Sequence, residues 1–281
     1  MSLLPTSILG SHAQSPAPSS SGPDRSSSNS GRLKNVGLAQ GKSALAKIRV
    51  LLRRSANFKQ MDFELAAWQM TYLFVAPRRV YRNVYYHKQT KNTWARDDPA
   101  IVLLLCGCLA AAGLLWGIFY AHYTPVHVIQ TMLYMVFVDF FLAGTIVATL
   151  LWAVSNRFFT HRSHTHATDQ SVEWAYSFDI HVNSFFPFFL NLYLAQLVLS
   201  PVITRANWVC LFFGNTLYLV AFSQYLYVTY LGYNALPFLI RSELLLIPVA
   251  VLFVGWIVSL LGFNVAKGVL GLYFKQPIVV P

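Results

Sequence analysis

Three histidines within six residues, His161, His164 and His166, form a His-x-x-His-x-His cluster, and His181 follows fifteen residues later. Neutral imidazoles gathered in this way hold zinc or iron, and membrane desaturases and hydroxylases use several such boxes for a pair of irons. Here no second dense box answers the first. A histidine-rich polar loop is therefore preferred to a metal centre, with one loosely held zinc on these three residues as the metal alternative. Asp139 is a second candidate, because it falls inside an apolar run where an ionised carboxylate costs roughly 3 kcal/mol on insertion scales. It must face a bundle interior, carry a proton or meet a donor, and the polar groups of later runs are His181, Asn183, Asn191, Gln196, Asn215 and Gln224. A transporter or channel pathway is the sharper reading of Asp139. An interhelical hydrogen bond is favoured over it, since one carboxylate without Gly or Pro breaks makes a poor transporter pattern. The third group is Glu173, Trp174, Tyr176, Asp179, His181 and Asn183, followed by Pro187, whose ring frees the Asn183 carbonyl and kinks a helix. This mixture of acid, aromatic and amide groups suits a docking surface or a tightly bonded helix cap. Ser-His-Asp sets, phosphate-cradling glycine loops and paired-cysteine motifs do not appear, so an enzyme is not expected and no cofactor is assigned.

These residues are carried on a chain built for lipid. Of its 281 residues, 56% are hydrophobic and 11% charged, against about 25% charged in a soluble domain. A helix rises about 1.5 Å per residue and a hydrocarbon core is about 30 Å thick, so a crossing needs about 20 apolar residues. Five runs qualify, near Ala100 to Tyr120, Val128 to Val154, Phe178 to Leu199, Trp208 to Tyr230 and Leu244 to Val265. The expected fold is all-α, a polytopic membrane bundle of about five transmembrane helices. Cys106, Cys108 and Cys210 all lie within these runs and read as small buried residues, not as a disulfide framework.

Charge sets the orientation. Fifteen of the 21 Lys and Arg residues precede Pro99, and basic flanks of the first helices stay in the cytosol. The amino terminus is thus expected in the cytosol and, after five crossings, the carboxyl terminus in the lumen. Leu3 to Gly10 is too short and lacks a basic start for a cleaved signal, so the first crossing is expected to act as its own targeting signal. Residues 1–41, rich in Ser, Pro, Gly and Asn, read as a disordered cytosolic tail. Residues 42–98 read as a basic cytosolic amphipathic segment and 99–281 as the transmembrane domain.

Within the basic segment, Leu45, Ile48 and Leu52 recur at helical spacing among Lys47, Arg49, Arg53 and Arg54, a pattern suited to an anionic membrane surface or to a solvated helix face. Phe58, Met61, Leu65, Trp68, Tyr72 and Val75 also step by three or four, which predicts a helix with one oily face ended by Pro77. Beyond it, Arg78, Arg79, Arg82, Lys88, Lys91 and Arg96 interleave with Tyr81, Tyr85, Tyr86 and Trp94. Beside a membrane, this interleaving favours anionic lipid headgroups over RNA, whose backbone and bases the same residue types also suit. Asp97, Asp98 and Pro99 then open the first crossing, with carboxylates at the positive end of the helix dipole.

Met61-Asp62-Phe63-Glu64, Trp68-Gln69-Met70 and the run from Thr90 to Pro99, together with Glu173 to His181 and Asn183 to Pro187, resemble the uncoordinated-fifty (Unc-fifty) family of Golgi membrane proteins. The resemblance covers Lys59 to the carboxyl terminus. It implies a Golgi membrane protein of about five crossings, also reported at the inner nuclear membrane. It further implies a role in vesicle-mediated protein transport through guanine-nucleotide exchange factors for Arf GTPases, delivery of receptor cargo to the cell surface, and RNA binding. The family supplies no catalytic residues, and the His161 to His166 cluster lies outside its pattern. The favoured reading is an adaptor or scaffold for trafficking machinery, with Trp68, Trp94, Glu173, Trp174, Asp179, His181 and Asn183 as contact residues. A transporter built on Asp139 and an RNA-binding membrane protein are the alternatives.

Overall fold

The computed structural model describes residues 61–83, 94–96, 98–120, 124–160 and 171–274. The expected surface helix around Leu45 to Leu52 and the histidine cluster at His161, His164 and His166 lie outside those residues. Everything described is helix or short connection, within one compact unit, Ala46–Pro281.

Five helices are long and apolar enough to cross a membrane: α2 (Ala100–Tyr120), α3 (Pro125–Phe159), α4 (Trp174–Ile203), α5 (Trp208–Asn234) and α6 (Ser242–Ser259). In hydrocarbon a backbone must satisfy its own N–H and C=O groups, and the helix does so at every residue. The outward faces are correspondingly apolar, with Phe137, Leu150, Val251 and Val254 each at least half exposed. This is a multi-pass membrane protein.

Two helices precede and follow the spans. α1 (Phe63–Val75) starts at Asp62, whose Oδ1 accepts the Leu65 N–H at 2.9 Å. Pro77 ends α1 but not the helical course: the backbone breaks at Ala76, with φ −150° and ψ 67°, and residues 77–83 are helical again. Proline suits a first helical turn, where its missing N–H has no partner to lose. The two arms form a hairpin against the bundle. Ala66, Met70 and Leu73 face inward, while Leu65, Trp68, Phe74 and Val75 are exposed on the outside. Apolar residues thus lie on both sides of α1, not on one face as its spacing predicts.

The fifth crossing, expected near Leu244 to Val265, is Ser242–Ser259 and ends six residues earlier. α6 stops at Ser259, the chain turns through Gly262 at φ 137°, and α7 (Val265–Phe274) folds back on the bundle. Only glycine adopts that backbone without strain. The turn is held by amides: Asn264 Nδ2 donates to the Ile203 carbonyl, Asn215 Nδ2 to the Phe263 carbonyl, and Val265 N–H to Asn215 Oδ1, each at 2.8 Å. α7 then carries Phe274 onto the rings of Trp116 and Tyr120, with centroids 5.6 and 5.5 Å apart.

α2 and α3 approach unusually closely, through Gly113 and Gly117. A Cβ built on either would lie 2.7 Å from the Met132 Cα and 2.8 Å from the Val128 Cα respectively. Small residues four apart let two backbones meet, which is how helices gain contact when lipid removes the hydrophobic incentive. α3 and α4 also contain π-helical stretches, Met135–Leu142 and Leu190–Ala195. The second follows Pro187, which cannot donate within its helix, and Asn191 Nδ2 bonds back to the Pro187 carbonyl at 2.8 Å.

Candidate functional site

At one end of the bundle, α1, residues 77–83, the Trp94–Arg96 stretch and the first turns of α2 and α4 enclose a cavity of about 350 Å³. Tyr176, Ile180 and Asn183 recur at four and three residues and so present one face of α4 to it, with Asp179 alongside. Asp98 clamps the opposite side: its Oδ1 accepts the Ala100 N–H that opens α2, and its Oδ2 accepts the Asp62 N–H that opens α1, both at 3.0 Å. One carboxylate therefore caps α2 and ties the hairpin to it.

Arg96 occupies the centre. Its backbone N–H donates to Asp179 Oδ2 and its Nη2 to Asn183 Oδ1, both at 2.6 Å, while Asn183 Nδ2 reaches Tyr81 Oη at 3.4 Å. Arg96 Nη1 is buried without a hydrogen-bond partner. Burial, eased in part by the Asn183 bond, pushes the Tyr81 phenol above the ordinary tyrosine range, so it stays neutral near pH 7. Beneath, Tyr176 Oη donates to the Gly232 carbonyl at 2.7 Å and Tyr233 Oη to Ser177 Oγ at 3.0 Å, fixing the α4 face against α5. The described lining sets three carboxylates, Asp62, Asp98 and Asp179, around one guanidinium, with Leu65, Ala66 and Ile101 as an apolar wall.

A second polar cluster sits deep among the spans. Asp139 and Tyr193 lie on the two facing π-helical stretches, and Asp139 Oδ2 accepts the hydroxyls of Tyr193 and of Tyr273 from α7, both at 2.9 Å. None of the amides anticipated as partners for Asp139 fills that role. Asn191 donates to Gln224 Oε1 at 2.7 Å, Gln196 pairs with Tyr218 at 2.9 Å, and Asn215 bonds Ser259 Oγ at 2.9 Å. His181 is buried among Phe140, Phe178 and Phe185, with Nδ1 2.8 Å from Tyr225 Oη and Nε2 lacking a partner. Its ring lies directly over Gly144, where any Cβ would collide with it.

Comparison with known proteins identifies what carries this arrangement. A family model described as the UNC-50 family matches residues 51–274, most of the chain. The chain belongs to the UNC-50 family. It is 47% identical over 225 residues to the protein GMH1 homolog of Schizosaccharomyces pombe, covering 79% of this chain and 95% of that protein. The unc-50 homolog of Dictyostelium discoideum is 44% identical over 248 residues, covering 88% and 95%, and the human unc-50 homolog is 45% identical over 224 residues, covering 79% and 85%. No solved structure matches.

In this UNC-50 family chain the expected contact residues divide. Trp94, Asp179 and Asn183 meet at the cavity. Trp94 is buried there with its ring 6.1 Å from Tyr176 and 6.3 Å from Phe238, and Tyr81 is likewise buried, so neither ring meets headgroups as their spacing among the cations predicts. Trp68 lies exposed on the outer side of α1, stacked near Tyr72. Trp174 bonds Thr149 Oγ1 at 3.0 Å and stacks on Phe178, and Glu173 precedes α4 as its N-cap residue. His181 is 3% exposed on another face of α4, which removes it from any docking surface and makes it a bundle residue. Sequence reading missed Arg96, Asp98 and Asp62 as members of the site. Their signal was present, since capping acids and a buried-side arginine flank the first span, but only the folded hairpin brings them to α4.

Proposed function

We propose that this protein is a non-enzymatic adaptor of Golgi vesicle-mediated transport that docks cytosolic trafficking machinery at the Arg96 cavity. The amino terminus and the cavity face the cytosol in this reading, and the carboxyl terminus faces the lumen. Support for that orientation comes from the fifteen basic residues before Pro99. Membership of the UNC-50 family supports the Golgi setting, with Arf exchange factors as partners and receptors as cargo.

The observation that carries the reading is Arg96, a cavity-lining residue whose Nη1 is buried without a hydrogen-bond partner. An unsatisfied charged donor costs more than an unsatisfied neutral one, and a partner carbonyl or carboxylate would remove that cost. The test uses Gln69→Trp and Leu65→Glu, which alter the cavity mouth without touching the Arg96 bonds. Proximity labelling from the amino terminus in intact cells is expected to lose one or more cytosolic neighbours in both variants, with Golgi residence unchanged. Full retention of all neighbours in both would refute the assignment of docking to this cavity. Asp139 gives less support to a transport pathway, because its two described bonds tie α4 and α7 to α3.

A further inference from the structure

The hairpin of α1 and residues 77–83 creates a second cleft, of about 490 Å³, on the flank of the bundle. Its apolar wall comes from Leu73, Phe74 and Val75 on the hairpin and from Pro187 and Val228 on α4 and α5. Pro187 lies thirteen residues past the start of α4 at Trp174, about 20 Å along a helix of 1.5 Å rise. Pro187 and Val228 both belong to spans, so the cleft lies against the flank of two membrane-spanning helices. Two cations stand at its edge. Arg78 Nε donates to Tyr227 Oη at 2.9 Å and Arg79 lies 5.5 Å from the Tyr72 ring centre, and both residues are exposed. Among the described residues neither meets a carboxylate.

We propose that this cleft holds one anionic glycerophospholipid of the surrounding leaflet. Its phosphate sits between the Arg78 and Arg79 guanidiniums, and an acyl chain lies along Phe74 and Val75, the exposed part of the apolar wall. Each half of the site demands the corresponding half of such a ligand. Two exposed arginines with no acid partner among the described residues attract an anion, and guanidiniums bind phosphate through paired N–H donors. The arginines follow the turn at Pro77, and their long stems are of the kind that carries a guanidinium from apolar surface to headgroup level. Tyr227 holds Arg78 by Nε and leaves both Nη groups for the ligand. A volume of this size falls within the range of about 300 to 1,000 Å³ typical of small-molecule sites. A free anion would leave the apolar wall unused, and a neutral lipid would leave the arginines unpaired.

The test is native mass spectrometry of the delipidated full-length protein titrated with dioleoyl phosphatidic acid, dioleoyl phosphatidylcholine or inorganic phosphate. Wild type is expected to retain one phosphatidic acid at least tenfold more tightly than phosphatidylcholine. Each arginine near a membrane surface adds about fivefold, so Arg78→Gln with Arg79→Gln should weaken retention about thirtyfold. Val75→Trp, at a position 73% exposed, fills the cleft from outside without endangering the fold and should also expel the lipid. Arg82→Gln, exposed on the same arm but outside the cleft lining, should change nothing. Equal retention of the two lipids overturns the proposal, as does an Arg82→Gln loss matching the double variant, or wild-type retention in both test variants. Displacement of the lipid by equimolar inorganic phosphate would assign the arginines to a soluble anion and overturn it too, as would lipid binding that appears only after deletion of residues 1–60.

Discussion

Gly113 and Gly117 offer the sharpest test of how the bundle is held together. An alanine Cβ at 113 would lie 2.7 Å from the Met132 Cα and 3.3 Å from its N, and one at 117 would lie 2.8 Å from the Val128 Cα. Carbon atoms pack at about 3.5 to 4.0 Å, so α2 and α3 would have to part by about 1 Å. The obstructing atoms are backbone, which cannot rotate away as a side chain can. Overpacking of this kind costs about 1 to 3 kcal/mol per site. One separation relieves both clashes, so the double variant falls short of the sum, at about 2 to 4 kcal/mol. For a domain of this size that corresponds to a Tm lower by about 5 to 15 °C. Gly107 on the same helix has nothing within 4 Å of its Cβ position, so Gly107→Ala should leave Tm unchanged or raise it slightly. The assay is thermal unfolding of the full chain in detergent, followed by a thiol-reactive dye on the half-buried Cys106 and Cys108 of α2. A Gly113→Ala, Gly117→Ala protein that melts with wild type, or a Gly107→Ala protein that falls as far, would show that close backbone approach does not hold this pair.

Other substitutions probe the polar ties. Asp139→Asn keeps an acceptor for the Tyr193 and Tyr273 hydroxyls and should cost under about 1 kcal/mol, whereas Asp139→Leu strands both and should cost about 2 to 3 kcal/mol, read as a Tm difference between the variants. Asp98→Ala removes the acceptor shared by Asp62 and Ala100, a loss of about 1 to 2 kcal/mol, and should expose the bond after Arg78 or Arg79 to trypsin sooner than in wild type. Tyr176→Phe leaves the Gly232 carbonyl without its donor and should lower stability by about 1 kcal/mol, with no change in cellular location. Gly144→Val drives a side chain into the His181 ring and should lower Tm by more than Asp139→Asn does, because that imidazole is enclosed by phenylalanines that cannot yield.

The sequence by itself determined the solvent and the number of crossings. Hydrocarbon makes the same demand at every depth, roughly twenty apolar residues per span, and a local run of residues such as Ala100 to Tyr120 either meets it or does not. It also singled out Asp179, Asn183 and Asp139, since polar groups are conspicuous against an apolar background. Their partners were not legible. Asp139 takes Tyr193 and Tyr273, the latter 134 residues away, because the chain turns at Gly262 after the last span and α7 packs back on the bundle. Arg96 joins Asp179 and Asn183, 83 and 87 residues away, only where the stretch before α2 packs against α4. Composition fixes what each segment must be surrounded by; which donor meets which acceptor depends on backbone turns and on the close packing of α2 against α3, and those arise only when the helices assemble.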